Sequence, residues 1–336
     1  MHPIRSLLAV LAASTLFSGL PAFADAPIVI KFSHVAAKDT PKGMGAERFK
    51  QLAEERTQGR VKVEIYPNSS LYKDKEELEA LQLGAVQMLA PSVSKFVPLG
   101  VKEFEVLDLP YIIPDIKAFH ALTDGPIGKS MLQKLESRGL KGLAMWDAGF
   151  RVIVSNRPIH SVADLKGMKI RVTSSKIIEA QKRGMGVLTQ TIAFSEVYQA
   201  LQTGVVDGAE TVMSNVWTQK LHEVQKYVTL THDTHQAYAI VSNKKFWDGL
   251  PPDIRTTLEG AVRDATTYAN ALAEVEEKEA IDKIKASGKM SIIVPTKAET
   301  EEFKKASLPV YKAMEGRLGS ANIEAVLKLS GQSMPN

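Results

Sequence analysis

Apolar runs of strand length alternate with runs of helical period through most of this chain, and that alternation restricts the fold more than any other feature. Residues 27–32 and 61–66 read as strands, and 42–56 between them as a helix with Phe49, Leu52 and Ala53 on one face. Residues 74–83 read as helix and 86–90 as a third short strand. A second set starts near Phe150, with strands at 150–155 and 169–172, helices from Ser175 and over 194–203, and a strand over 205–209. Residues 238–241 are apolar again and are expected to return to the first sheet. Strand–helix–strand alternation argues for mainly parallel sheets flanked by helices.

One helix exceeds the rest. Pro251-Pro252-Asp253 is a good start and Gly288 a good stop. Between them Ile254, Leu258, Val262, Ala265, Tyr268, Leu272 and Val275 recur every three or four residues. About 35 residues run roughly 50 Å at 1.5 Å each, longer than one small domain. Such a helix bridges two domains or kinks.

The first 24 residues read as an export signal: Arg5, an apolar run from Leu7 to Leu20, then Ala22-Phe23-Ala24 as a small-x-small cleavage site. The expected compartment is the periplasm, with cleavage near Ala24. About 310 residues remain, enough for two domains. Without Arg5, 41 basic and 38 acidic side chains leave a formal charge of +3. That mild, interspersed charge gives no nucleic-acid footprint. With no cysteine, disulfides and thiolate chemistry are excluded.

The strongest chemical signal is Arg171, in the strand-like run Lys169-Ile170-Arg171-Val172. A guanidinium on a buried strand is costly unless an anion meets it. Nothing acidic lies between Lys166 and Ile178. Arg151 opens a second apolar run twenty residues earlier. Two such arginines on neighbouring strands suggest a carboxylate site, because the planar fork donates two parallel hydrogen bonds. The alternative is a distant Asp or Glu of the same chain as partner, and from spacing alone both readings stand.

Signs of catalysis are weak. His232 and His235 have ligand-like spacing, but no third ligand is evident and polar loop or pocket roles are favoured over zinc. The Gly43-Met44-Gly45 pair lacks the third glycine and the tight turn of a dinucleotide loop. No nucleophile elbow or phosphate loop occurs, so neither an enzyme nor a cofactor or metal site is expected. Trp146 is read either as core or as a flat pocket wall. Ser92, after the third strand, is read as a ligand contact or a helix cap.

Several blocks together resemble the solute-binding proteins of tripartite ATP-independent periplasmic (TRAP) transporters, DctP dicarboxylate branch. They are KFSHV with PKG, VEIYPNSSL, DLPYI, DLKGMKIRV, AFSEVYQALQTGVVDGAE, HEVQKYV and SNKKFWDGLP, in this order across the mature chain. The resemblance implies a two-domain periplasmic-binding-protein fold (α/β, type II-like). Mixed sheets flanked by helices and a long helix spanning both domains go with it. Domain I is expected at 25–148 plus 237–276, and domain II at 149–236 plus 277–330. The fold would close around one small organic acid and serve the small and large TRAP membrane subunits as a monomer without catalytic activity. Arg171 matches the arginine that pairs with the ligand carboxylate, and Arg151 a commonly basic position. Thr211 stands where Asn is frequent, Phe194 matches a residue packing on the ligand, and His34 and Lys42 match the first-domain loop facing the cleft. Asn215 is a further candidate.

The chain departs from that pattern at Asp147, after Trp146, and at Asp233, where His or Asn is expected. Acids there would repel a second carboxylate. A C4-dicarboxylate such as malate or succinate ranks first, with a hydroxy or aromatic monocarboxylate behind it. A ligand-sensing subunit of a receptor kinase is the alternative role.

Overall fold

The computed structural model describes residues 26–335, so the segment read as an export signal lies outside the described residues. The described residues form ten strands: β1 Ile28–Ser33, β2 Val61–Tyr66, β3 Met88–Leu89, β4 Leu140–Ser155, β5 Lys169–Val172, β6 Leu188–Thr191, β7 Gly208–Val212, β8 Tyr227–Thr229, β9 His235–Asn243 and β10 Ser291–Ile293. They join in the order β2-β1-β3-β9-β4-β7-β5-β6, with β8 on β4 and β10 on β8. The flanks are parallel as expected: β1 with β2 and β3, and β5 with β6 and β7. The centre is antiparallel, because β9 and β4 carry the chain between two lobes.

β4 is the spine. Its residues 140–147 pair with β9 in the first lobe, and 151–155 pair with β7 and β8 in the second. The register shifts between Asp147 and Phe150, where Gly149 takes φ +84°. That positive φ suits glycine, and the bulge lets one strand serve two differently oriented sheets.

Both faces of each sheet are covered by helices, so the central strands are apolar without alternation. On β9, Ala237, Ala239 and Val241 enter a core with Phe96, Phe104 and Phe119, whereas Tyr238 and Ile240 enter one with Phe32, Phe49 and Trp146. On β4, Val152 and Val154 face one second-lobe core and Ile153 the other.

The long helix spans Pro252–Ser287, about 54 Å at 1.5 Å per residue. Ile254, Leu258 and Ala265 pack into the first lobe, and Ala280 and Ile284 into the second. The expected stripe is corrected near its middle: Tyr268 and Val275 are exposed, and Ala269 and Ala273 are buried instead. Small side chains sit there because the helix passes close to the helix Pro41–Arg56; Ala269 Cβ would lie 2.8 Å from a Cβ placed on Gly45.

Residues 309–329, expected with domain II, pack in the first lobe: Val310, Tyr311, Ile323 and Val326 share the Phe96–Phe104 core. Tyr311 Oη donates to Pro110 O at 2.8 Å. The helix before them, Lys297–Ser307, places Phe303 in the second lobe with Ile153 and Ile170.

Candidate ligand-binding cleft

A pocket of about 40 Å³ lies between the lobes. The first lobe contributes Val35, Ala36, Lys42, Asp74, Ser92 and Lys95. The second contributes Arg171, Thr173, Phe194, Glu210, Thr211 and Asn215. The crossing strands add Arg151, Gln236 and Tyr238.

Arg171 reaches the cleft because strand period places it opposite its neighbours. Ile170 and Val172 enter the core with Ile153, and the side chain between them points to the other face. Arg171 is 6% exposed. Its Nε donates to Ile192 O at 3.0 Å and its Nη1 to Glu210 O at 3.4 Å. Among the described residues its Nη2 has no hydrogen-bond acceptor and the guanidinium forms no ion pair. Burial pulls its pKa down, and Arg151 pulls it further, beyond what Glu210 and Asp74 restore. The Phe194 ring centroid lies 6.0 Å away.

Arg151 differs. Its Nη1 pairs with Glu210 Oε1, and its Nη2 lies 3.8 Å from Asp108 Oδ1. Burial opposes its charge, but Glu210 and Asp108 outweigh burial and raise its pKa. Of the two readings of paired arginines, Arg171 fits the carboxylate receptor, whereas Arg151 has internal carboxylate partners, although its Nε and Nη2 are buried without a hydrogen-bond acceptor. Glu210 Oε2 also accepts from Thr173 N at 3.3 Å, so the pair fixes the cleft floor.

Lys42 enters from the first turn of the helix Pro41–Arg56, whose Thr40 cap accepts from Gly43 N at 3.1 Å. A Cβ on Gly43 would meet Ala37 O at 2.4 Å, so only glycine lets the 35–38 loop lie against this turn. Lys42 Nζ donates to Ala90 O at 3.3 Å and sits 3.6 Å from the Tyr238 ring centroid. No carboxylate pairs with it among the described residues. Burial, then repulsion from Lys95, pushes its pKa down to about 7. Lys95 is paired with both Asp74 and Glu77, and their carboxylates outweigh its burial and raise its pKa.

Seven expected residues thus line the cleft: Arg171, Arg151, Thr211, Ser92, Phe194, Asn215 and Lys42. Three do not. Trp146 is core, packed on Phe32 with its Nε1 donating to Thr266 Oγ1 at 2.9 Å. His34 is fully buried beside Phe32, and burial, then Lys42, pushes its pKa down to about 3. Asp233 is buried against Lys182 and accepts from Gln181 Nε2 at 2.8 Å.

Asp147 is also away from the cleft. At the β4 bulge its Oδ1 meets His235 Nε2 at 2.9 Å and accepts from Gly149 N at 2.7 Å. Burial would raise its pKa, but His235, His120 and the Gly149 amide outweigh burial and hold it well below the usual range. His232 contacts Glu277 at 2.9 Å, apart from His235's partner. Both acids that argued against a second carboxylate are therefore spent on internal partners. Sequence reasoning missed Lys95, Asp74, Gln236 and Tyr238. Lys95 carries the signal that found Arg171, a charge inside an apolar run, between Val93 and Phe96.

A cleft between two α/β lobes, with a guanidinium and an ammonium facing it unpaired, defines a binding protein for organic anions. The chain belongs to the bacterial extracellular solute-binding protein family 7 (DctP), whose family model matches residues 32–317. It is 52% identical over 325 residues to the C4-dicarboxylate-binding periplasmic protein DctP of Rhodobacter capsulatus, covering 96% of this chain and 97% of that one. A TRAP periplasmic solute-binding protein of Shewanella oneidensis with bound succinate superposes with TM-score 0.88 at 35% identity, covering 90% of this chain and 99% of that one. One of Pseudomonas aeruginosa with bound L-malate gives TM-score 0.83 at 38% identity, covering 85% of this chain and 100% of that one. The fold is thus that of TRAP periplasmic binding proteins, and the family is a substrate-binding component of transport.

Proposed function

We propose that this protein binds a C4-dicarboxylate, succinate or malate, between its lobes in the periplasm and delivers it to TRAP membrane subunits without chemical turnover. The observation that carries this reading is a pair of buried cations without internal counter-ions, Arg171 in one lobe and Lys42 in the other. Arg171 takes one carboxylate as a fork, Lys42 takes the second as a point charge, and Thr211, Ser92 and Asn215 supply hydrogen bonds between. Because the anion touches both lobes, its binding energy favours their approach, as in hinge closure. The likeness to proteins named for C4-dicarboxylates, or solved with succinate and malate, supports the same reading.

The test is a thermal-shift series with succinate, L-malate and an aromatic 2-oxo acid, followed by calorimetry. A ligand at 100 times its Kd stabilises by about 2.7 kcal/mol. Succinate and malate are expected to shift the melting point strongly and the aromatic acid little. A shift with the aromatic acid alone would overturn the two-carboxylate reading.

A further inference from the structure

The ligand cleft has a neighbour. A second cavity of about 320 Å³ opens between the same two lobes, bounded by Leu78, Pro98 and Leu99 on one side and Ile192 and Ala193 on the other. Both cavities are lined by Asp74, Lys95, Arg171 and Thr173, so these four residues make the wall between them. Three of them are tied within their own lobe. Lys95 pairs with Asp74 and Glu77, Arg171 Nε bonds Ile192 O, and Thr173 N bonds Glu210. Asp74 alone of the four crosses the seam: its Oδ2 accepts from Phe194 N at 2.5 Å, while its Oδ1 holds Lys95.

We propose that the second cavity is an apolar annex of the ligand site, shut off by Asp74, and that Asp74 sets the size of diacid this protein admits. The inference rests on the dicarboxylate reading above. With the carboxylate in place, a diacid anchored on Arg171 and Lys42 meets a polar wall that cannot yield without breaking a charge-assisted hydrogen bond and a buried ion pair. With the side chain at position 74 removed, the same two anchors remain, and the annex takes an apolar substituent of the diacid against Leu78 and Ile192. Lys95 keeps Glu77 as counter-ion, so removing Asp74 leaves no buried ammonium unpaired.

The experiment compares succinate with 2-benzylsuccinate by calorimetry on the full mature chain. Wild type and the isosteric Asp74→Asn are expected to prefer succinate by at least 100-fold. Asp74→Gly is expected to narrow that ratio at least tenfold, and adding Leu78→Trp, which fills the annex, to restore it. Leu78→Trp alone is expected to leave succinate affinity unchanged. A ratio in Asp74→Gly narrowed less than tenfold overturns the proposal. So does a folded Asp74→Gly that binds neither acid, since Arg171 and Lys42 are untouched. Wild type that fails to bind succinate sinks the dicarboxylate reading and the annex with it; wild type that binds with an unmoved ratio sinks the annex alone.

Discussion

Arg151 on β4 and Arg171 on β5 stand on either side of β7 in one sheet, both buried, both lining one cleft, yet their surroundings oppose each other. Arg151 has Glu210 against it and Asp108 at 3.8 Å, and its charge is held more firmly than in water. Arg171 has two carbonyl oxygens and no carboxylate, and burial weakens its hold on the proton. Fold satisfaction and ligand reception therefore need the same residue type with opposite surroundings. A buried cation facing an internal carboxylate suits a scaffold, and one without such a carboxylate suits a receptor.

The largest test of that contrast is on the scaffold side. Arg151→Met leaves Glu210 and Asp108 buried without their cation, and breaking such a pair costs about 3–5 kcal/mol. The expected result in urea unfolding is a lower midpoint with an unchanged slope. Stability equal to wild type would erase the distinction between the two arginines. On the receptor side, Arg171→Lys keeps a charge but loses the fork, so succinate affinity is expected to fall at least about 100-fold, roughly 3 kcal/mol. The melting point without ligand should fall far less than in Arg151→Met, because only hydrogen bonds to the Ile192 and Glu210 carbonyls are lost and no buried carboxylate is left without its cation. Near-normal affinity by calorimetry would remove Arg171 from the site.

The smallest expected effect belongs to Lys42 and depends on pH. A dianion prefers the ammonium form, and the buried amine gives up its proton near pH 7. Succinate affinity should therefore be highest just below pH 7. It should weaken above that and level off about tenfold lower, the contribution of one charge worth about 1.4 kcal/mol. Folding stability runs the other way: the unfolded chain keeps the lysine proton to about pH 10.4, so this group adds stability as pH rises from 7 towards 10. Lys42→Met should flatten the affinity profile between pH 7 and 9 and weaken binding about tenfold at pH 6.5. A profile that stays steep in the variant would assign the titration elsewhere.

The sheet flanks, the helix of 36 residues and the buried arginine of the cleft were legible because each leaves a local mark: period two, period three to four, or a charge where a strand wants Ile. What failed was long-range. Asp147 and Asp233 are acids at positions that suggested a hostile pocket, but their partners, His235 and Lys182, lie 88 and 51 residues away. Trp146 borders the run that leads to Arg151, yet the bulge at 147–150 turns the strand, so the two side chains serve different compartments. The C-terminal helices crossed back to the first lobe through apolar contacts with no signature in their own sequence.

The double service of β4 has a consequence for how the molecule comes apart. Its sixteen residues supply ladder partners in both lobes, and the long helix supplies core to both. Neither lobe is a contiguous stretch of chain, so no single cut releases one intact. Heat or denaturant is then expected to melt the whole as one cooperative unit, despite the two-lobed shape. A nick at the bulge would leave two fragments that need each other to hold structure, and separately produced halves should regain binding only when mixed.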